Sequence, residues 1–139
     1  MAFTIMLILT TMAVPLARYR VRRDRERELR HALDEIRHAI DRYKDMSDRG
    51  ELPPAKLGTE GYPESLEILV DGVKKAGQVD QKVKFLRRIP KDPFTNSTDW
   101  GKRSMQDDPK GMGGGGQNVF DVFTRTTEKA RDGSAYSDW

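Results

Sequence analysis

The apolar positions of this chain fall into one solid block and one spaced stripe. Residues 1–16 form the block: Met-Ala-Phe-Thr-Ile-Met-Leu-Ile-Leu-Thr-Thr-Met-Ala-Val-Pro-Leu, without a charge. As a helix it would span about 24 Å, short of the roughly 30 Å hydrocarbon core of a bilayer. It reads as a signal-peptide core, a buried helix, or part of a membrane helix whose start lies upstream. The first fits poorly, because no basic residue precedes the run and arginines follow it. From Arg18 to Arg30 seven arginines interleave with Asp24, Glu26 and Glu28. Such spacing supports a solvated helix through pairs such as Asp24 with Arg27. An exposed helical neck fits this stretch better than a basic arm for nucleic acid or anionic lipid. The stripe then begins. Leu29, Leu33, Ile36, Ile40 and Tyr43 recur at helical spacing and predict one face of an amphipathic helix. Arg22 and Glu26 occupy the matching positions on its N-terminal side, so the apolar seam stops there.

Gly50 and the Pro53-Pro54 pair end the helix. A short second helix is expected from Pro63, as a first-turn proline, through Val70. Val83-Lys84-Phe85-Leu86 and Val119 to Thr124 read as strands. The proline-rich segment from Ile89 to Phe94 is too broken for helix. Asp107 to Asn118, with Gly113 to Gly116, reads as a flexible loop. The expected fold class is α+β, with a long N-terminal helix packed on a small antiparallel β-sheet head. The expected divisions are 1–17 for the apolar segment, 18–50 for the amphipathic helix and 51–139 for the head.

Composition narrows the chemistry. The 139 residues suit one domain, and 25 basic against 22 acidic residues give +3, too even for a dedicated nucleic-acid binder. With no cysteine, a disulfide scaffold, a thiolate metal site and a cysteine nucleophile are all excluded. No HExxH, GxSxG or P-loop spacing is present, and the glycine run lacks the Lys-Ser/Thr and helix start of a phosphate cradle. An enzyme is not expected. His31 and His38 sit opposite the seam and are expected to face solvent rather than share a metal. The tail carries the site-like chemistry. Asp132, Ser134 and Asp138 lie on a glycine-bearing loop, Asp121 is within reach on the preceding strand, and such hard oxygens suit calcium.

Four segments resemble the type IV pilin-like proteins, and most of all the major pseudopilin of type II secretion. They are Ala13-Val14-Pro15 closing the apolar run, Ile36 to Lys44 at the helix end, Leu86-Arg87-Arg88-Ile89-Pro90-Lys91-Asp92-Pro93-Phe94, similar to that family's LPxDPW segment, and Phe120 to Phe123 followed by an aspartate-bearing tail ending in tryptophan. The family's glycine cleavage site followed by Phe-Thr-Leu-Ile-Glu is not in the chain. Counting back from Pro15 by the family's spacing leads upstream of Met1, so Met1 is expected to be an internal methionine taken as the start.

The resemblance implies a pilin-like fold and a structural subunit that polymerises into a pseudopilus. That filament helps export folded proteins across the outer membrane. The implied partners are other copies of the chain, other pseudopilins, inner-membrane secretion components and membrane lipid before assembly, with no nucleic acid. The implied location is the inner membrane, single pass, with the head in the periplasm. Phe3, Ile5, Leu7, Ile8, Leu9 and Pro15 would lie in the filament core. Arg22, Arg23 and Arg25 would form salt bridges to Glu26 or Glu28 of neighbouring subunits. The family's calcium loop corresponds to the Asp132–Asp138 region. The alternatives are a minor pilin-like subunit, serving adhesion, motility or DNA uptake, and a membrane-tethered binding module that does not polymerise.

Overall fold

The structure, a computed structural model, describes the backbone of residues 2–114 and 116–139 and the side chains of residues 17–114 and 116–139. Helix α1 runs Ala2–Asp48, 47 residues, or about 70 Å of helix. Among the described residues no helix is long and apolar enough to cross a membrane. The side chains of the apolar run, including Phe3, Ile5, Leu7, Ile8, Leu9 and Pro15, lie outside the described residues.

The predicted seam is the centre of the core. Leu29, Leu33, Ile36 and Ile40 are at most 1% exposed. Ala32 and Ala39, also buried, keep the same face low so that other elements approach closely. Burial of such a side chain contributes about 1.5–3 kcal/mol. The helix stops at a Schellman motif. The Gly50 N–H donates to Ser47 O (3.1 Å) and the Glu51 N–H to Met46 O (3.0 Å). Gly50 takes a φ of +74°, a conformation costly for any residue with a Cβ.

Helix α2 spans Leu66–Asp71 and lays Leu66 and Leu69 against the α1 seam. It starts three residues later than the sequence suggests. Pro63 is not its first-turn proline, because Pro63 is fully buried and its carbonyl accepts the Val119 N–H at 2.7 Å. That cross-chain bond holds the residue outside the helix. Strands β1 (Val73–Lys74) and β2 (Lys82–Val83) form one antiparallel pair. The expected strand through Leu86 ends at Val83, since the Phe85 and Leu86 N–H groups both turn to Leu69 O, at 2.9 and 3.0 Å. A free carbonyl at the end of α2 thus diverts the chain from the ladder.

Strands β3 (Gly101–Arg103) and β4 (Asp121–Phe123) form a second antiparallel pair, with Gly101 opposite Phe123, Lys102 opposite Val122 and Arg103 opposite Asp121. The head is therefore α+β, but with two separate two-stranded sheets in place of one small sheet. The β4 pair packs on α1 through Val122. Residues 107–118 form no regular element among the described positions; Gly115 lies outside them. A 3-10 turn, Tyr136–Asp138, closes the chain against the core.

Ladders of two or three residues hold little by themselves, so side chains fasten the loops. The Trp100 indole N–H donates to Pro90 O at 2.8 Å while its ring is fully buried. Buried Asp92 accepts the Phe94 N–H (2.9 Å) on one oxygen and the Thr124 hydroxyl on the other. Asn118 accepts the Met105 N–H and donates to Gly58 O and Gln106 Oε1, at 3.0, 3.0 and 2.9 Å, joining three loops.

Two glycines separate backbone conformation from close packing. Gly77 and Gly113 share nearly the same φ, +76° and +75°. A Cβ at Gly77 meets nothing within 4 Å, whereas at Gly113 it would fall 1.9 Å from Lys102 O. Gly77→Ala is expected to cost about 1–2 kcal/mol from the left-handed conformation alone. Gly113→Ala should cost a further ~1–3 kcal/mol from overpacking. Urea unfolding of the two variants, compared with wild type, measures the difference.

Candidate functional site

The densest polar arrangement lies where the tail folds back on the neck of α1. The tail is built locally first. The Ala130 N–H donates to Ser134 O (2.7 Å) and the Gly133 N–H to Ala130 O (3.0 Å), forming a tight reversal with Gly133 at a φ of +89°. Asp132 Oδ1 accepts both the Ser134 N–H (2.9 Å) and the Ser134 hydroxyl (2.6 Å). These two bonds, the hydroxyl's first, hold the exposed Asp132 carboxyl below its ordinary range. The Ser134 hydroxyl oxygen also accepts from the Trp139 indole at 3.1 Å.

Tyr136 then anchors the tail. Its fully buried ring stacks on Phe94 with centroids 4.3 Å apart and meets Trp139 edge-on at 4.8 Å. Its hydroxyl donates to Glu26 Oε1 (2.6 Å) and accepts from Arg22 Nε (3.2 Å), residues more than 100 positions away in the chain. A second Arg22 nitrogen donates to Lys129 O. Burial, and then the bond to Glu26, push the phenol above its ordinary value, against the opposing pull of Arg22.

Arg22 and Glu26 were expected to reach neighbouring subunits. Within the chain they extend the seam as a polar contact to their own tail. The position where the apolar pattern fails is where the helix meets a phenol rather than a hydrocarbon. Further along the same helix, Arg37 donates to Asp121 Oδ1 (2.7 Å), Trp139 O (3.0 Å) and Val122 O (3.3 Å). Arg30 places its guanidinium 4.0 Å from the Trp139 ring centroid. The side chains of Arg23, Arg25 and Glu28 remain exposed, with no hydrogen bond or ion pair among the described residues.

The four calcium candidates are not gathered into one cage. Asp121 is held by Arg37, Asp132 turns to Ser134, and Asp138 is exposed on the 3-10 turn. Among the described residues no group of three or more His, Cys, Asp or Glu side chains is placed to hold a metal ion. His31 and His38 are both exposed, and His38 Nδ1 lies 2.6 Å from Asp34 O.

An open cleft of about 520 Å³ lies between the neck and the tail reversal. Sequence reasoning missed its tail-side residue Arg131 and the role of Tyr136. Only the interrupted seam at Arg22 and Glu26 signalled that the helix surface continued to be used. The chain matches no family model, no curated protein and no solved structure.

Tyr136→Phe is expected to destabilise the head by about 1.5–3 kcal/mol near neutral pH, because it removes a hydrogen bond to a charged group. A phenol with a raised folded value lends its stability in full below its ordinary value of 10.0. That stability is lost as pH rises through the raised value. The gap between wild type and Tyr136→Phe in urea unfolding should therefore narrow above about pH 10 and stay constant below it.

Proposed function

We propose that this chain is a pilin-like filament subunit, of the major-pseudopilin kind, that polymerises through its N-terminal helix. Its head would stand in the periplasm while its apolar segment rests in the inner membrane before assembly. The observation that carries this reading is the continuity of α1. One helix runs from the apolar block into the seam at the centre of the head. Between them, residues 17–25 are all exposed. An apolar helix segment needs lipid or protein around it. A filament supplies the second by packing many such helices side by side, with close van der Waals contact as the source of association.

Two further features support the reading. The segment resembling LPxDPW forms a closed turn, with the Asp92 N–H on Ser97 O at 2.9 Å and the Asn96 N–H on Asp92 O at 2.7 Å. The tail ends against the helix, leaving the head as a cap on one half of α1. The neck charges that remain for neighbouring subunits are Arg23, Arg25 and Glu28. Exposed pairs of that kind contribute about 0–1 kcal/mol each, so their repetition along a filament matters more than any one of them. Export of folded proteins across the outer membrane is the function that follows from the resemblance.

The cysteine-free chain makes the test direct. Cysteines placed singly and together at Arg25 and Glu28, both exposed on the neck, are introduced into the full-length protein in its native host. Oxidation is expected to give a ladder of covalent oligomers from the double variant. Monomers and dimers alone would exclude polymerisation and leave a tethered binding module.

A further inference from the structure

The cleft between neck and tail has an unusual charge balance. Five guanidinium groups line it, those of Arg18, Arg22, Arg23, Arg30 and Arg131, against two side-chain carboxylates, Glu26 and Asp132. Both carboxylates are already accepting hydrogen bonds from hydroxyls, Glu26 from Tyr136 and Asp132 from Ser134. None of the five arginines forms an ion pair among the described residues. Aromatic faces position three of them instead. Arg23 and Arg131 approach the Tyr19 ring at 5.5 and 4.5 Å from its centroid, and Arg30 approaches Trp139 at 4.0 Å. A cation held over a ring keeps its edge N–H donors free. Those donors, in planar forks, match the paired oxygens of a phosphate.

Location selects the source of that phosphate. Arg18 and Tyr19 follow the apolar block directly, and Tyr19 and Val21 are 40% and 52% exposed. A tyrosine and a cluster of arginines just beyond an apolar helix occupy headgroup depth when that helix lies in a bilayer. We propose that the cleft lined by Arg18, Arg23, Arg30 and Arg131 seats the phosphate of an anionic phospholipid headgroup, holding the unassembled subunit at the membrane surface. This rests on the membrane-resident stage of the proposed function. On leaving the bilayer the subunit gives up this contact, so the lipid favours the unassembled state.

The test uses the full chain in a neutral detergent. Short-chain phosphatidylglycerol, phosphatidylcholine of the same chain length, inorganic phosphate and a peptide of residues 24–34 are titrated separately. Fluorescence reports binding, because Trp139 lines the cleft while Trp100 is fully buried and gives a constant background. Phosphatidylglycerol is expected to bind saturably and to weaken with salt, and phosphatidylcholine not to bind. Arg23→Gln with Arg131→Gln should weaken phosphatidylglycerol roughly 30-fold. Arg25→Gln with Arg27→Gln removes equal charge from outside the cleft and should weaken it less than about threefold.

Equal losses from the two double variants would overturn the proposal, leaving diffuse charge. Equal affinity for inorganic phosphate would reassign the cleft to free anions, and tight binding of the neck peptide would reassign it to a subunit contact. Flotation of the full chain with vesicles of phosphatidylcholine alone separates the two readings. Entry into these vesicles, without a preference for added phosphatidylglycerol in the titration, overturns the lipid site and leaves the membrane stage intact. Failure to enter them overturns both.

Discussion

A single helix face, met by one other helix of only six residues among the described elements, has to be covered by a short and irregular chain. That constraint organises the whole head. Leu29, Leu33, Ile36 and Ile40 present one narrow apolar stripe, and roughly ninety residues fold over it using strands of two or three residues. Such short ladders cannot fix the position of anything by backbone pairing alone. The cover is therefore pinned by side chains that bond from one segment to another. Asp92, Trp100 and Asn118 fasten loop to loop, and Arg37 fastens strand β4 and the tail to the helix.

This use of arginine explains a composition that looks too charged for a packed domain. Arg22, Arg37 and Arg103 each donate to at least one main-chain carbonyl of another segment. Arg103 also lies with its guanidinium 4.0 Å from the Phe123 ring centroid, across the β3–β4 pair. A guanidinium carries five donors and an apolar stem, so it satisfies several carbonyls while covering a ring. The charged residues of the inner surface thus replace the backbone pairing that the short strands leave undone.

What was legible in the sequence follows from sequence distance. The seam, the stop at Gly50 and the strand within Val119 to Thr124 depend on neighbours a few residues away, and each pattern stands in the chain itself. Pro63 was misread because its carbonyl bonds to Val119, and Phe85 and Leu86 because their N–H groups bond to Leu69. In both cases a partner outside the local window outweighed local propensity. The tail anchor lay furthest from view, since Tyr136 meets residues 110 and 114 positions away. Its one trace was negative: two charged residues, Arg22 and Glu26, sat where the stripe called for apolar ones. The calcium expectation drew on the same local view. It took three tail residues near one another in sequence and brought Asp121 in from the preceding strand, and in the fold Asp121 is paired with Arg37 on the helix.

The Tyr136 contact also fixes how the head moves with its helix. Arg22 and Glu26 lie one turn apart and grip one hydroxyl from both sides, donor and acceptor together. A slide of the tail along the helix by one turn would place the phenol against Arg18 and Arg22, or against Glu26 and Arg30. In the first case the phenol loses its acceptor, and in the second it exchanges a carboxylate beside one arginine for the same carboxylate beside a residue already held over Trp139. Arg37, three turns further on, would lose Asp121 in either case. Two anchors about three to four turns apart, one built on Arg22 and Glu26 and one on Arg37, leave the tail a single register. A pull along α1 is therefore transmitted to the head as a rigid displacement rather than dissipated by slippage between them. The proposed passage of a subunit from membrane to filament, drawn by its helix, would call on that property.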